Sequence, residues 1–288
     1  MRSSENKILV TGSNGQLGSE LRDLEKEFNN FEFVFLNRSS MPLNDSGSIL
    51  KVLSKEKPNY IINAAAYTAV DKAEDEKEIA FLINDEAVDI ISKWCTLNKS
   101  RLIHISTDYV FDGTSSSPVK EDDITNPINT YGASKLAGEK KVTQNCNEYM
   151  IFRTSWVYSR YGNNFVKTMC KLMENRDEIS VVSDQIGSST YAKDLAKAAL
   201  QIIASNNWKT GIYNYSNEGQ ISWYDFAVEI QKIMKFDCKV NKILTRDFPT
   251  KAKRPSFSLL DKTKIKETFG LEVPKWDYSL KQMLNKNI

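Results

Sequence analysis

The sequence predicts an α/β fold: a doubly wound parallel sheet carrying a smaller C-terminal lobe. Two observations lead there. In the first half, short apolar runs alternate with helical stretches of ten or more residues, the pattern of right-handed βαβ crossovers over a sheet buried on both faces. The first apolar run also feeds a glycine-rich turn, Gly12-Ser-Asn-Gly-Gln-Leu-Gly18, that opens a helical stretch.

Taken in order, residues 8–10 form the first strand and 16–28 the first helix. Residues 31–36 follow as a second strand, and 49–56 as a helix ending before Pro58, because the residue ahead of a proline avoids the helical conformation. Residues 60–63 are a third strand, 78–97 one long helix, 102–106 a fourth strand, 131–143 a helix and 149–152 a fifth strand. Past residue 155 the rhythm loosens. Helices over 164–173, 193–204 and 223–234 and strands over 179–182 and 211–215 precede a polar, lysine-rich end. The expected division is a sheet domain over 1–155, rejoined by about 179–205, with 156–288 mainly forming the lobe.

The bulk properties exclude several classes. With 41% hydrophobic and 26% charged residues the chain is an ordinary globular protein, and its net charge of +2 comes from well-mixed signs. Neither a nucleic-acid surface nor a membrane surface is expected. No apolar run approaches the roughly 20 residues of a membrane helix. Residues 1–6 are polar and run straight into the first strand, so no signal peptide is expected ahead of it. Cys95, Cys146, Cys170 and Cys238 are scattered without a Cys-x-x-Cys pair, so reduced thiols in a cytoplasmic enzyme are expected rather than a zinc site. His104, the sole histidine, alternates with Leu102 and Ser106 along a buried strand and is read as a packed or hydrogen-bonded core residue.

The glycine turn has the chemistry of a phosphate loop. Gly12 permits a tight turn, Gly15 lets the backbone approach a pyrophosphate, and Gly18 lets the helix close on the strand. The helix N-terminus then offers free N–H groups and partial positive charge. A Rossmann-type dinucleotide site follows. Asn37 and Arg38 stand at the end of the second strand, where an acid would hold the adenosine ribose and repel a 2′-phosphate. With no acid and with a bidentate cation, NADPH is favoured and NADH remains possible.

Tyr131 and Lys135 lie four apart on a predicted helix and so share a face. A nearby ammonium is expected to lower the phenol's pKa and ready its proton for a developing alkoxide. Thr107, at the end of the fourth strand, can hydrogen-bond the same oxygen. The order phosphate loop, hydroxyl, phenol and ammonium argues for hydride transfer at a carbonyl.

Longer segments carry a resemblance. Asn63-Ala-Ala-Ala-Tyr-Thr-Ala-Val-Asp-Lys-Ala-Glu74, Ser106-Thr-Asp-Tyr-Val-Phe-Asp-Gly113, Tyr131-Gly-x-x-Lys-Leu-Ala-Gly-Glu139 and Arg153-Thr-Ser-Trp-Val-Tyr158 resemble the extended short-chain dehydrogenase/reductases. Gly162-Asn-Asn-Phe165, Asp184-Gln-x-Gly187, Trp223-Tyr-Asp225 and Arg254-Pro255 extend the similarity, which within that superfamily points to the dTDP-4-dehydrorhamnose reductases. The resemblance implies reduction of the 4-keto group of dTDP-4-dehydro-β-L-rhamnose to dTDP-L-rhamnose, with Thr107, Tyr131 and Lys135 catalytic. Together with the phosphate loop it implies cofactor contacts from Gly12, Asn14, Gly15, Gln16, Leu17, Gly18, Asn37, Arg38, Leu43, Ala65, Ala66, Tyr67, Thr68, Tyr131 and Lys135. Thr107, Asp108, Tyr109 and Trp156 would face the nucleotide sugar.

The chain also departs from the family pattern. Met41-Pro-Leu-Asn-Asp45 replaces the usual Leu-Asp-Ile-Thr-Asp, and Ser188-Ser189 replaces Ala-Pro. Some members dimerise through Mg²⁺; Glu20 matches one ligand, but Lys193 stands where an acid would be, so no metal is expected and monomer and homodimer both stay open. A 4,6-dehydratase would need a glutamate where Tyr109 follows Asp108. Another nucleotide-sugar reductase, an epimerase, which would turn over without added NADPH, and a non-catalytic dinucleotide-binding regulatory subunit of methionine adenosyltransferase type remain the alternatives.

Overall fold

The computed structural model describes residues 6–285; the first five residues of the polar opening segment lie outside them. The central sheet holds six strands, all parallel. They are β1 (Lys7–Thr11), β2 (Glu32–Leu36), β3 (Tyr60–Asn63), β4 (Arg101–Thr107), β5 (Tyr149–Thr154) and, after the short lobe strands β6 (Val157–Tyr158), β7 (Glu178–Val182), β8 (Ile186–Gly187) and β9 (Thr190–Tyr191), a sixth, β10 (Gly211–Asn214). The order across the sheet is β10-β5-β4-β3-β1-β2, so the progression of strands across the sheet switches sides between β1 and β3. In such sheets a ligand crevice opens at the carboxyl ends of the strands at that reversal.

Alternation along each strand loads both faces. In β1, Ile8 and Val10 join Leu17, Leu21 and Leu195 on one side, and Leu9 joins Leu53, Ile91 and Val142 on the other. The first face is covered by α1 (Gln16–Leu24), and the second by α2 (Ser46–Glu56) and by helices introduced below. Because both sides are dry, the strands read as continuous apolar runs. Each of these fully buried aliphatic side chains contributes roughly 1.5–3 kcal/mol. The helix predicted over 49–56 begins earlier, at Ser46, because the Asp45 side chain accepts from Ser48 N–H at 3.0 Å and caps it.

After β3 come α3 (Val70–Ala73) and α4 (Lys77–Phe81). The long helix predicted over 78–97 is present as one continuous helical run from Lys77 to Asn98, with a π-helical turn, Leu82–Glu86, set between α4 and α5 (Ala87–Asn98). The π turn is a local widening within a run that stays helical throughout, and no residue type in the sequence announces it. Next is α6 (Thr130–Asn145), which with α5 covers the second face.

The C-terminal half departs further from expectation. The strand read at 179–182 does not rejoin the sheet; as β7 it pairs in parallel with β12 (Lys239–Ile243). Of the segment 179–205, α8 (Ala192–Ala204) packs against the sheet beside α1, while β10 extends the sheet next to β5. The remaining lobe gathers α7 (Phe165–Asn175), α9 (Trp223–Met234) and α11 (Trp276–Leu284) around a core that includes Phe226 and Ile230. The two-residue strand β11 (Ile221–Ser222) pairs with β8, and β6 with β9. The lysine-rich end carries α10 (Thr263–Phe269) as well as α11.

Candidate active site

A cleft of about 830 Å³ opens at the carboxyl ends of β1, β3 and β4, where the lobe meets the sheet. Its size suits a cofactor and a small substrate.

The glycine loop forms one wall. Gly12 sits at φ +66°, and a Cβ there would stand 2.9 Å from Ala65 Cα, so the loops after β1 and β3 meet backbone to backbone. A Cβ on Gly18 would stand 2.4 Å from the Gly12 carbonyl oxygen. These contacts require glycine for the turn and for the helix to close on it. Gly15 is the N-cap of α1 without a side-chain cap, which leaves N–H groups facing the cleft. Asn14, Gln16 and Leu17 line the same wall; Gly18 lies behind it, in the packing of α1. Lobe residues hold Gln16 in turn: Asn164 Nδ2 donates to its Oε1 at 3.0 Å and its Nε2 donates to the Val157 carbonyl at 3.3 Å.

Asn37, Arg38 and Leu43 border the end beyond β2. The Asn37 side chain is occupied with its own turn, accepting from the N–H groups of Ser39 and Ser40 at 2.9 and 3.0 Å, while Arg38 is exposed on the rim. Ala65, Ala66, Tyr67 and Thr68 form the floor after β3. That loop is anchored by the π turn. Buried Asn84 accepts from Tyr67 N–H at 2.9 Å and donates both to the Tyr67 carbonyl and to Ser134 Oγ at 3.0 Å. Asn84 was missed in the sequence, where nothing marks a π turn.

The third wall brings Thr107, Asp108, Tyr109, Tyr131 and Lys135 together. Thr107, the last residue of β4, accepts from Tyr109 N–H at 3.2 Å and donates to Asp108 Oδ1 at 3.0 Å. Tyr131 lies in the first turn of α6. That helix is capped by Asn129, which accepts from Gly132 N–H at 2.7 Å, and by Glu74, which accepts from both Thr130 N–H and its hydroxyl. Tyr109 meets Tyr131 edge to face, 5.8 Å between ring centres. Lys135 is 2% exposed and donates to the Ile105 carbonyl at 2.7 Å; His104 Nε2 lies 3.4 Å from its Nζ.

The electrostatics differ from expectation in one respect. Burial pushes the Tyr131 phenol up to about 12; the Thr107 hydroxyl opposes the rise and Asp108 adds to it. The expected lowering by Lys135 is not found. Its ammonium points to the Ile105 carbonyl, and desolvation of the phenolate outweighs it. Burial pulls Lys135 itself down to about 8, with Glu139 working the other way. Burial also lifts Asp108 to about 6 against the nearby Ser258 and Thr107 hydroxyls, and its Oδ2 has no hydrogen-bond partner.

The lobe closes the cleft with Trp156, held at φ +47° and stacked on Trp223 at 3.7 Å between ring centres. Gly187 makes room: a Cβ there would lie 3.0 Å from the Trp156 ring. Trp223 escaped the sequence reading as a site residue because it also begins an amphipathic helix. Other motif residues turn out to be struts. Glu139 pairs with Arg153 at 2.7 Å and accepts from Ser106 Oγ at 2.5 Å, all buried, which ties α6 to β4 and β5. Asp71 takes a bidentate bond from Arg254, which straps the lobe to α3. Glu20 is buried and accepts from Ser159 at 2.6 Å. Among the described residues no group of three or more His, Cys, Asp or Glu is placed to share a metal ion.

Comparison with known proteins agrees with this geometry. The family described as RmlD substrate binding domain matches residues 6–288. The dTDP-4-dehydrorhamnose reductase of Aggregatibacter actinomycetemcomitans is 42% identical, over 96% of this chain and 98% of its own length. A Clostridium acetobutylicum dTDP-4-dehydrorhamnose reductase superposes with a TM-score of 0.93 at 39% identity, covering 97% of this chain and 99% of the other. The Bacillus anthracis dTDP-4-dehydrorhamnose reductase, solved in complex with NADP, gives a TM-score of 0.93 at 37% identity, covering 98% and 100%. The glycine cradle, the Tyr131–Lys135 helix and this full-length similarity together place the chain in the RmlD family, that of the dTDP-4-dehydrorhamnose reductases.

Proposed function

We propose that the protein is an NADPH-dependent oxidoreductase that reduces the 4-keto group of dTDP-4-dehydro-β-L-rhamnose to give dTDP-L-rhamnose. The observation that carries the reading is the convergence of Thr107, Tyr131 and Lys135 in one cleft beside the glycine loop, whose helix N-terminus has no side-chain cap. A dinucleotide fits the residues present: free N–H groups at α1 for the pyrophosphate, and a rim without an acid but with Arg38 for a 2′-phosphate.

When bound, the nicotinamide supplies the hydride to C4. The protein's own part is the proton and the pose. Tyr131 donates its phenolic proton to the developing O4 alkoxide. A phenol near 12 stays protonated at neutral pH and remains far more acidic than the alcohol it helps to form. Thr107 Oγ1 holds the same oxygen in line. Lys135, its ammonium held on the Ile105 carbonyl, would bind the nicotinamide ribose hydroxyls and keep a positive charge in the cleft as the proton leaves Tyr131. Asp108, Tyr109 and the Trp156 ring contact the sugar nucleotide.

In this reading residues 1–155, together with α8 and β10, form the dinucleotide half and the rest the substrate lobe. The setting is cytoplasmic, in keeping with four buried free cysteines, and no helix among the described residues is long and apolar enough to cross a membrane. The test is NADPH consumption with dTDP-4-dehydrorhamnose generated in the assay. Turnover that needs both reagents supports the reductase. Tight dinucleotide binding without turnover would move a regulatory-subunit role to the front.

A further inference from the structure

A buried polar chain runs from β1 to the catalytic lysine. Thr11 Oγ1 accepts from Ala65 N–H at 3.1 Å and donates its own hydrogen to Asn63 Oδ1 at 2.7 Å. That fixes the Asn63 amide with its NH₂ group toward His104 Nδ1 at 3.1 Å. His104 is 0% exposed, and its far nitrogen, Nε2, lies 3.4 Å from Lys135 Nζ. A ring that accepts at Nδ1 while neutral must carry its hydrogen on Nε2.

We propose that His104 is a positioning residue for Lys135. Asn63 holds its ring in the Nε2–H tautomer, and this N–H turns the ammonium toward the Ile105 carbonyl and donates to the lysine nitrogen once that nitrogen is a neutral amine. Two donors facing each other at 3.4 Å do not bond, so the ammonium is the disfavoured partner and the amine the favoured one. The other titratable groups near Lys135 are Tyr131 and Glu139 on α6 and Arg153 on β5, with Asp108 facing Tyr131; Glu139 is already spent on Arg153 and Ser106. Burial and the neighbouring Lys135 both push the His104 pKa well down, consistent with a neutral ring. The packing makes the contact possible. On β4, His104 and Ser106 point to the face that α6 covers, and they meet Lys135 and Glu139, one helical turn apart.

The role rests on the reductase reading of Lys135, but its direct test needs no turnover. His104 is the only histidine, so ¹⁵N-imidazole labelling of the untagged full-length protein reports one ring. The expected spectrum shows a protonated Nε2 and a bare Nδ1, with no imidazolium from about pH 5 to about pH 9. The Nε2 signal should move as Lys135 titrates and stay still in Lys135→Met. An Nδ1–H tautomer, an imidazolium within that range, or an Nε2 signal indifferent to Lys135 would overturn the proposal.

A kinetic arm separates positioning from packing. In His104→Gln the amide oxygen can accept from the ammonium, so the basic limb of kcat should move up by about one pH unit while KM for NADPH changes by less than about threefold. A folded variant whose profile coincides with wild type would mean that His104 only packs the core. If that variant does not fold, the wild-type spectrum still decides. Absence of turnover with the expected spectrum would count against the reductase reading and leave the His104 geometry standing.

Discussion

Gly132 and Tyr109 meet through their backbones: a Cβ on Gly132 would stand 2.1 Å from the Tyr109 carbonyl oxygen. This contact lets the first turn of α6 sit on the turn that follows β4, which brings Tyr131 beside Thr107. The glycine after the tyrosine is therefore part of how the phenol is placed.

Gly132→Ala should push α6 off that turn. Displacement on the scale of 1 Å costs on the order of 100-fold in a positioned reaction. The expected result is a fall in kcat of at least about tenfold, with NADPH affinity within about threefold by fluorescence titration. Unchanged kcat would mean that the close approach does not set the geometry.

Asp108 gives a pH-dependent stability of unusual sign. Burial raises its carboxyl to about 6 from the ordinary 3.8 of an aspartic acid, so folding favours the protonated form. The burial penalty is absent below about pH 4, grows as pH rises, and is complete above about pH 6. Asp108→Asn should then be more stable than wild type by up to roughly 3 kcal/mol at pH 8, with the difference vanishing near pH 4. Urea midpoints at the two pH values check this; a variant less stable than wild type at pH 8 would refute it.

Lys135, lowered to about 8 by burial, should own the basic limb of the rate profile. Activity is expected to hold below that pH and fall above it as the ammonium is lost, while the Tyr131 phenol is still protonated. Lys135→Arg keeps its charge. Its maximum rate should drop by at least about tenfold, because the guanidinium does not fit the lysine site, but the limb should vanish below about pH 10. A limb that stays near 8 would assign it to another group.

Arg38 should decide cofactor choice. Arg38→Asp replaces a partner for the 2′-phosphate by a like charge and offers the ribose hydroxyls an acceptor. Affinity for NADPH is expected to fall by at least about tenfold and affinity for NADH to rise. Parallel titrations read both, and equal changes would place the 2′-position elsewhere.

The parts of the site legible in the sequence are those written in local spacing. Gly12, Gly15 and Gly18 announce a turn that only glycine tolerates, and Tyr131 and Lys135 announce a shared helix face. The early strands are legible because burial of the inner ones on both faces makes them short apolar runs set between helical stretches. What stayed hidden depends on contacts between distant segments. Asn84 acts from a π turn that no residue type announces. His104 reads as core until α6 is laid over β4. The two-residue strands of the lobe are too short to show alternation, and β7 looks like a sheet strand until β12 is seen beside it. The direction of the Tyr131 shift was also out of reach, because it is set by burial rather than by the charge four residues along.

The most direct measurement compares NADPH oxidation by wild type and Tyr131→Phe in the presence of dTDP-4-dehydrorhamnose, with dinucleotide affinity measured on both. Loss of the phenolic proton donor alone is expected to lower kcat by about 100-fold or more while NADPH affinity stays within about threefold. A Tyr131→Phe enzyme that keeps wild-type turnover would show that the proton comes from another group and contradict the assignment of this cleft.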